Sequence, residues 1–141
     1  MTACPTPLPG TVLRAAEPPS RRAAVGLSGL ARIVLRVRDL RASLRLFGEV
    51  LGLPVSVQGR RTWVRAGGSE LELREQPGMA ICGADSTDVF TLGCTGPEEL
   101  RRAAGVLAAA RVPNTGVFQD RGGREVVRFT DPDGRVFELA C

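Results

Sequence analysis

The 141-residue sequence contains no histidine. That absence removes the commonest metal ligand and the commonest general base. Lysine is missing too, since all 19 basic residues are arginine. Alongside the abundance of Ala, Gly, Pro and Val, this points to a compositional bias of the source genome. No apolar run approaches the roughly 20 residues that a membrane-spanning helix needs. The net charge is +4, but the arginines are scattered and no basic tract is interleaved with aromatics, which argues against nucleic acid as a partner. Four cysteines are present, Cys4, Cys82, Cys94 and Cys141, with no CxxC and no zinc-like spacing. They read as thiols in a reducing, cytoplasmic setting and not as a disulfide framework.

Residues 1–28 differ from the rest. Pro5, Pro7, Pro9, Pro18 and Pro19 stand among Ala, Ser, Thr and Arg, without periodicity. This segment is expected to be a disordered arm. Ser20-Arg21-Arg22 before AAVGLSGLA offers a targeting address as the alternative. The remainder, 29–141, has the length of one domain with its own core.

Within that domain ARIVLRVRDL alternates. Ile33, Leu35 and Val37 fall on one face, and Arg32, Val34 and Arg36 on the other, as in a half-buried strand. Asp39 then N-caps a helix whose apolar side is Leu40, Leu44, Phe47 and Leu51, with Gly52 just past its end. PVSVQGRR reads as a strand and RTWVRAGGSELELRE as a hairpin turning at Gly67-Gly68. Residues 76–87 read as a linker, after which the programme repeats. Val89–Cys94 is a strand, and Thr95-Gly96-Pro97-Glu98 a capping box. Leu100, Ala103, Ala104 and Leu107 form a helical face. NTGVFQD is a further strand, and REVVRFT and RVFELAC form a hairpin about Asp131-Pro132-Asp133-Gly134. Registering Leu35 on Leu92 and Glu72 on Glu138 gives two βαβββ modules, at about 30–75 and 88–141, of α+β class, forming a curved mixed sheet round a shared cavity.

Strand parity places Glu72 and Glu138 opposite their flanking leucines and phenylalanine, on the same side of the sheet as Arg32 and Arg36. Trp63 reads as core or cavity wall. Asp131 and Asp133 read as turn residues, and Cys94 as a thiol on the buried face that is no nucleophile.

RIVLRVRDLRASLRLFGEVLGLPV in the first module and FTDPDGRVFEL in the second resemble the vicinal oxygen chelate superfamily of glyoxalase I, bleomycin-resistance proteins, fosfomycin-resistance proteins and extradiol dioxygenases. The resemblance covers about residues 30–140. It implies paired βαβββ modules, a homodimer and a small-molecule ligand. Family metalloenzymes bind a divalent ion through positions that correspond here to Arg32, Glu72, Val89 and Glu138. Only the two glutamates are able to ligate, because arginine stays protonated and valine has no donor. No metal or other cofactor is therefore expected unless further ligands, such as Asp88 or a group from a partner chain, join Glu72 and Glu138.

Two function classes follow, with a third beside them. One is a metal-free small-molecule-binding module, with Arg32, Arg36, Trp63, Glu72 and Glu138 as candidate cavity residues and Arg32 neutralising a glutamate where the metal ligand would stand. Another is a glyoxalase-like lyase, isomerase or dioxygenase with a non-standard metal site on Glu72 and Glu138. The last is a dimerising scaffold without ligand function. Fold alone does not choose among them.

Overall fold

The computed structural model of the chain describes residues 25–80 and 88–141. Most of the expected arm and the second half of the expected linker, with Cys4 and Cys82, lie outside the described residues. Residues 25–30 carry no regular secondary structure.

The first module contains β1 (Arg32–Val37), a helix, β2 (Val55–Gln58), β3 (Arg61–Ala66) and β4 (Ser69–Glu75). Its helix, α1 (Leu40–Leu44), runs on into a wider π-wound turn at Arg45–Val50. The second module contains β5 (Val89–Gly93), α2 (Pro97–Ala109), β6 (Phe118–Gln119), β7 (Glu125–Thr130) and β8 (Val136–Ala140). The two sheets have matching orders, β1-β4-β3-β2 and β5-β8-β7-β6. In each, the first strand runs parallel to the last and the other pairs are antiparallel. In place of the single curved sheet expected, the described strands form two separate four-stranded mixed sheets, because every strand pair lies within one module.

The repeat registers as the sequence pattern expects. Val34 faces Glu72 across β1 and β4, and Thr91 faces Glu138 across β5 and β8. Leu35 and Leu73 in one module and Leu92 and Leu139 in the other occupy equivalent inward positions. Side chains on the helix side of both sheets merge into one core that includes Phe47, Leu71, Leu100, Leu107, Phe129 and Phe137. Phe137 is its hub, packing edge-on to Phe47 at 5.2 Å and stacked against Phe90 and Phe129 at 5.2 and 5.6 Å.

Helix α1 starts where its cap predicts: the Asp39 carboxylate accepts from the Ala42 amide at 3.2 Å. It ends at Gly52, whose φ of 72° is the left-handed conformation that glycine tolerates. Gly48 also has a steric reason, because a Cβ there would lie 2.8 Å from Val55 Cγ2. The capping box expected at Thr95 does not form. Gly96 is the N-cap of α2 and no side chain bonds to the first turn. Pro97 already supplies a residue without an amide hydrogen, so Thr95 sits one position outside the helix, while Glu98 and Glu99 favour its positive end through their charge. The strand expected over NTGVFQD shrinks to Phe118–Gln119 plus a single bridge from Asn114 to Phe129. There the Asn114 side chain accepts from the Gly116 amide at 2.8 Å and donates to the Val112 carbonyl at 2.9 Å, holding a local turn instead of a ladder.

The DPDG turn between β7 and β8 does more than reverse the chain. Asp131 and Asp133 are buried. Arg135 Nη1 bridges their carboxylates at 2.9 and 3.3 Å. Asp133 Oδ1 also accepts from the Arg38 amide and from Arg38 Nε, both at 3.2 Å, while Arg135 Nη2 donates to the Arg36 carbonyl. The turn of the second module is thereby clamped to the end of β1 in the first. Removing one member of a buried, hydrogen-bonded charge cluster leaves its partners uncompensated. Asp133→Ala is expected to lower unfolding stability by about 3 kcal/mol, read as a shift in the urea midpoint. A similar truncation of the exposed Arg101, which makes only a loose pair at 3.6 Å with Glu98, is expected to change it by less than about 0.5 kcal/mol.

Candidate functional site

The candidate residues sit on the side of each sheet that faces away from the core. Strand pairing arranges the first module's outer face in rows. One row is Arg32, Glu70 and Arg65, and the next is Val34, Glu72 and Trp63. In the third, Arg36 pairs with Arg74, and Arg61 follows just beyond on β3. Glutamates occupy only the first two rows, both on β4.

Glu72 has a side-chain exposure of just 2% although it faces away from the core, because arginines cover it. Arg74 Nε donates to Oε2 at 2.8 Å and Arg61 Nε to Oε1 at 3.1 Å. Arg32 Nε stands off at 3.7 Å and gives its shorter contact, 3.2 Å, to Glu70. The hydrogen bond from Arg74, assisted by Arg61 and opposed by burial, holds the Glu72 carboxyl below its ordinary value of 4.5. Glu70 also receives Arg65 Nη2 at 3.3 Å. The Arg61 guanidinium lies 4.5 Å above the Trp63 ring, a cation–π contact that fixes the half-buried indole at the centre of the face. Among the described residues the Arg36 guanidinium has no ion-pair partner. An open depression of about 850 Å³ runs past Arg32, Arg61, Glu72 and Arg74.

Glu138 stands on the equivalent outer face of the second sheet, with other company. Arg128 Nε donates to it at 2.8 Å and the Thr91 hydroxyl at 3.0 Å. Arg128 also reaches over the Phe118 ring, at 5.6 Å. The structure thus brings Arg32, Arg36, Trp63 and Glu72 onto one face and Glu138 onto another. Within one chain no hydrogen bond or ion pair among the described residues joins the two faces. The Arg32 partner expected at Glu72 or Glu138 is mainly Glu70, which the alternation pattern placed on the same face but which sequence reasoning did not single out. Arg61, Arg74 and Arg128 were missed as well. Their signal was available, since Arg74 shares the outer parity of β4 with Glu72, and Arg61 and Arg128 lie on the outer parity of the strands that pair with β4 and β8.

The family's metal positions place two carboxylates on different faces, each already hydrogen-bonded to guanidinium groups, beside Arg32 and the 42% exposed Val89, neither of which has a lone pair to offer. Such a donor set does not fit a divalent transition metal. No group of three or more His, Cys, Asp or Glu able to hold a metal ion occurs among the described residues. Nor is any described helix long and apolar enough to cross a membrane. Cys94 is half-buried, and burial pushes its thiol up from the ordinary value, in keeping with a non-nucleophilic role.

The sequence model of the Glyoxalase/Bleomycin resistance protein/Dioxygenase superfamily matches residues 29–139. Solved structures share the fold. A glyoxylase/bleomycin resistance protein/dioxygenase domain from Frankia sp. EAN1pec is 23% identical with a TM-score of 0.69, over 82% of this chain and 98% of that one. Lactoylglutathione lyase from Agrobacterium tumefaciens is 18% identical with a TM-score of 0.63, over 81% and 93%. Fosfomycin resistance protein FosX from Mesorhizobium loti is 16% identical with a TM-score of 0.66, over 82% and 92%.

The arginine cover of Glu72 has a pH signature. With its folded-state pKa depressed, Glu72 contributes stability that is present above about pH 4.5 and is lost as pH falls through the lower folded value. Urea midpoints measured from pH 7 downward should fall below about 4.5. Glu72→Gln should be less stable than the wild type at pH 7 and decline less steeply in the acid range. The remaining slope should include Asp120, whose carboxyl the Arg124 amide also holds low.

Proposed function

The chain belongs to the Glyoxalase/Bleomycin resistance protein/Dioxygenase superfamily, and we propose that within it this protein is a small-molecule-binding module that holds an anionic, partly aromatic ligand without a metal ion. The observation that carries this reading is the row Arg36, Arg74 and Arg61 beside Trp63. Arg74 and Arg61 are committed to Glu72, whereas Arg36 stands next to Arg74 with no acidic partner among the described residues. A planar guanidinium beside an indole face is suited to a carboxylate or phosphate carried on a ring. The local field is positive even after Glu70 and Glu72 are counted, which favours an anion over a cation. That relatives of the same fold include a lyase and an antibiotic-resistance protein supports a small molecule as the ligand class.

A second copy of the chain is the protein partner in this reading. Each sheet exposes apolar residues on its outer face, Val34 at 43% and Val89 at 42%. Pairing two copies would let a first-module face meet a second-module face and bring Glu138 to the ligand. The free thiols of Cys94 and Cys141 suit a cytoplasmic setting.

Trp63 is the sole tryptophan, so its fluorescence reports on this face alone. Titrating the untagged protein with phenyl phosphate or benzoate is expected to give a saturable change in Trp63 emission. Arg36→Ala should weaken it about tenfold, the scale of one charge-assisted hydrogen bond. Elemental analysis after exposure to Mn, Fe, Ni and Zn is expected to find no stoichiometric metal. About one equivalent, lost on Glu72→Gln or Glu138→Gln, would overturn the reading in favour of a glyoxalase-type metalloenzyme.

A further inference from the structure

The internal repeat creates two equivalent junctions between the modules, and only one of them is filled. At the first, the β7–β8 turn meets the end of β1 through Asp131, Asp133 and Arg135 against Arg36 and Arg38. The repeat maps Arg36 and Arg38 onto Gly93 and Thr95, because Val34 and Thr91 face the equivalent glutamates. The same register maps Arg135 onto Ser69, and Ala66 closes against Ser69 where Asp131 closes against Arg135. In the β3–β4 turn Gly67-Gly68 replaces Pro132-Asp133-Gly134, with Gly67 at a φ of 61° that disfavours any side chain. Ser69 turns its hydroxyl back to the Leu30 carbonyl of its own module at 2.6 Å. The clamp residues of one junction thus have alanine, glycine, serine and threonine as counterparts in the other.

What stands at that second junction is a cavity of about 640 Å³, with Ala66, Gly67 and Ser69 on one rim and Gly93, Cys94 and Thr95 on the other. Its walls are core-facing side chains, Ile33, Leu53 and Leu71 from the first module and Phe90, Leu92 and Leu139 from the second. Among the described residues Glu99 is the only charged one that lines it, and Arg102 lies 3.5 Å from that carboxylate. The volume is that of a small-molecule pocket, and an apolar wall with compensated charge favours neutral, apolar guests. Val89, Thr91 and Gly93 of β5 also border it, whereas no residue of the arginine face does.

We propose that this junction is a second ligand site, which takes a neutral, apolar, ring-bearing small molecule. It is independent of the anion-binding reading, since none of the five arginines of the outer face lines it. The probe is N-phenylnaphthylamine, neutral and emissive in apolar surroundings. The wild-type full-length protein is expected to give a saturable, blue-shifted signal and a higher melting temperature with the probe. Ala103→Phe, which fills the cavity from α2, and Ser69→Arg, which restores the arginine of the other junction from an accessible turn, should each abolish the signal while keeping the native circular dichroism spectrum. Arg36→Ala should leave it intact. Four outcomes would overturn the proposal: no saturable binding, binding that survives both cavity variants, binding lost in Arg36→Ala, or binding that disappears as protein concentration rises, which would mean that a second copy covers the cavity. If Ala103→Phe fails to fold, Ser69→Arg alone decides.

Discussion

The buried cluster of Asp131, Asp133, Arg135 and Arg38 is the contact on which the arrangement of the two modules depends. Each βαβββ unit builds its own sheet and packs its own helix, so either could pair with the other in several ways through apolar contact alone. Hydrophobic burial is non-directional. A carboxylate taken out of water is the opposite, because it is tolerated only where donors are placed for it. Asp133 accepts one bond from Arg38 Nε, one from the Arg38 amide and one from Arg135, so it has partners on both modules at once. Sliding one module past the other would strand that charge. The cluster therefore selects a single docking geometry out of the many that the Phe47–Phe137 core contact would allow.

The outer faces show the same logic in a wetter setting. On the first sheet, arginines outnumber glutamates, and the two glutamates lie side by side in register order on β4. A glutamate surrounded by guanidinium groups is hidden from solvent without entering the core, which is how Glu72 comes to be almost inaccessible on a face that looks outward. The second sheet carries the repeat's matching glutamate with Arg128 and a hydroxyl, amid valine, glycine and alanine. The modules are alike in backbone and unlike in charge. Glu72 and Glu138 both form salt bridges, and divergence between the halves leaves a positive surface on one side and a nearly neutral one on the other.

How much of this could be read from the sequence follows from the range of each interaction. Strand parity is local, so the outward orientation of Arg32, Val34, Arg36, Glu72 and Glu138 was legible from alternation alone, as was the Asp39 cap, whereas the placing of Glu138 on a separate sheet face from Glu72 was not. The pattern Thr95-x-x-Glu98 was misleading for an equally local reason: Pro97 shifts the cap to Gly96 and leaves the threonine outside. The strand over Asn114–Asp120 failed because an asparagine side chain outcompeted the ladder. The clamp was illegible. Its partners are 95 residues apart, and a DPDG turn looks the same whether its aspartates face water or another module.

Register also explains why the two junctions diverge. A two-residue turn at Gly67-Gly68 closes β3 onto β4 by the tightest route, whereas Pro132-Asp133-Gly134 is one residue longer and carries an acid in its middle. That extra residue gives Asp133 the reach to cross to the neighbouring module. The shorter turn has no such reach, and no arginine stands on β5 to meet it, since Gly93 and Thr95 occupy the positions of Arg36 and Arg38. The loss is concerted across both sides of the second junction. Reproducing the clamp there would require two carboxylates and two arginines together, because a carboxylate buried at the junction without its arginines would be a charge without a partner. One junction locked by charge and one left open and apolar is thus a stable pairing of states for this repeat: no single substitution leads from one to the other without passing through an unpaired charge.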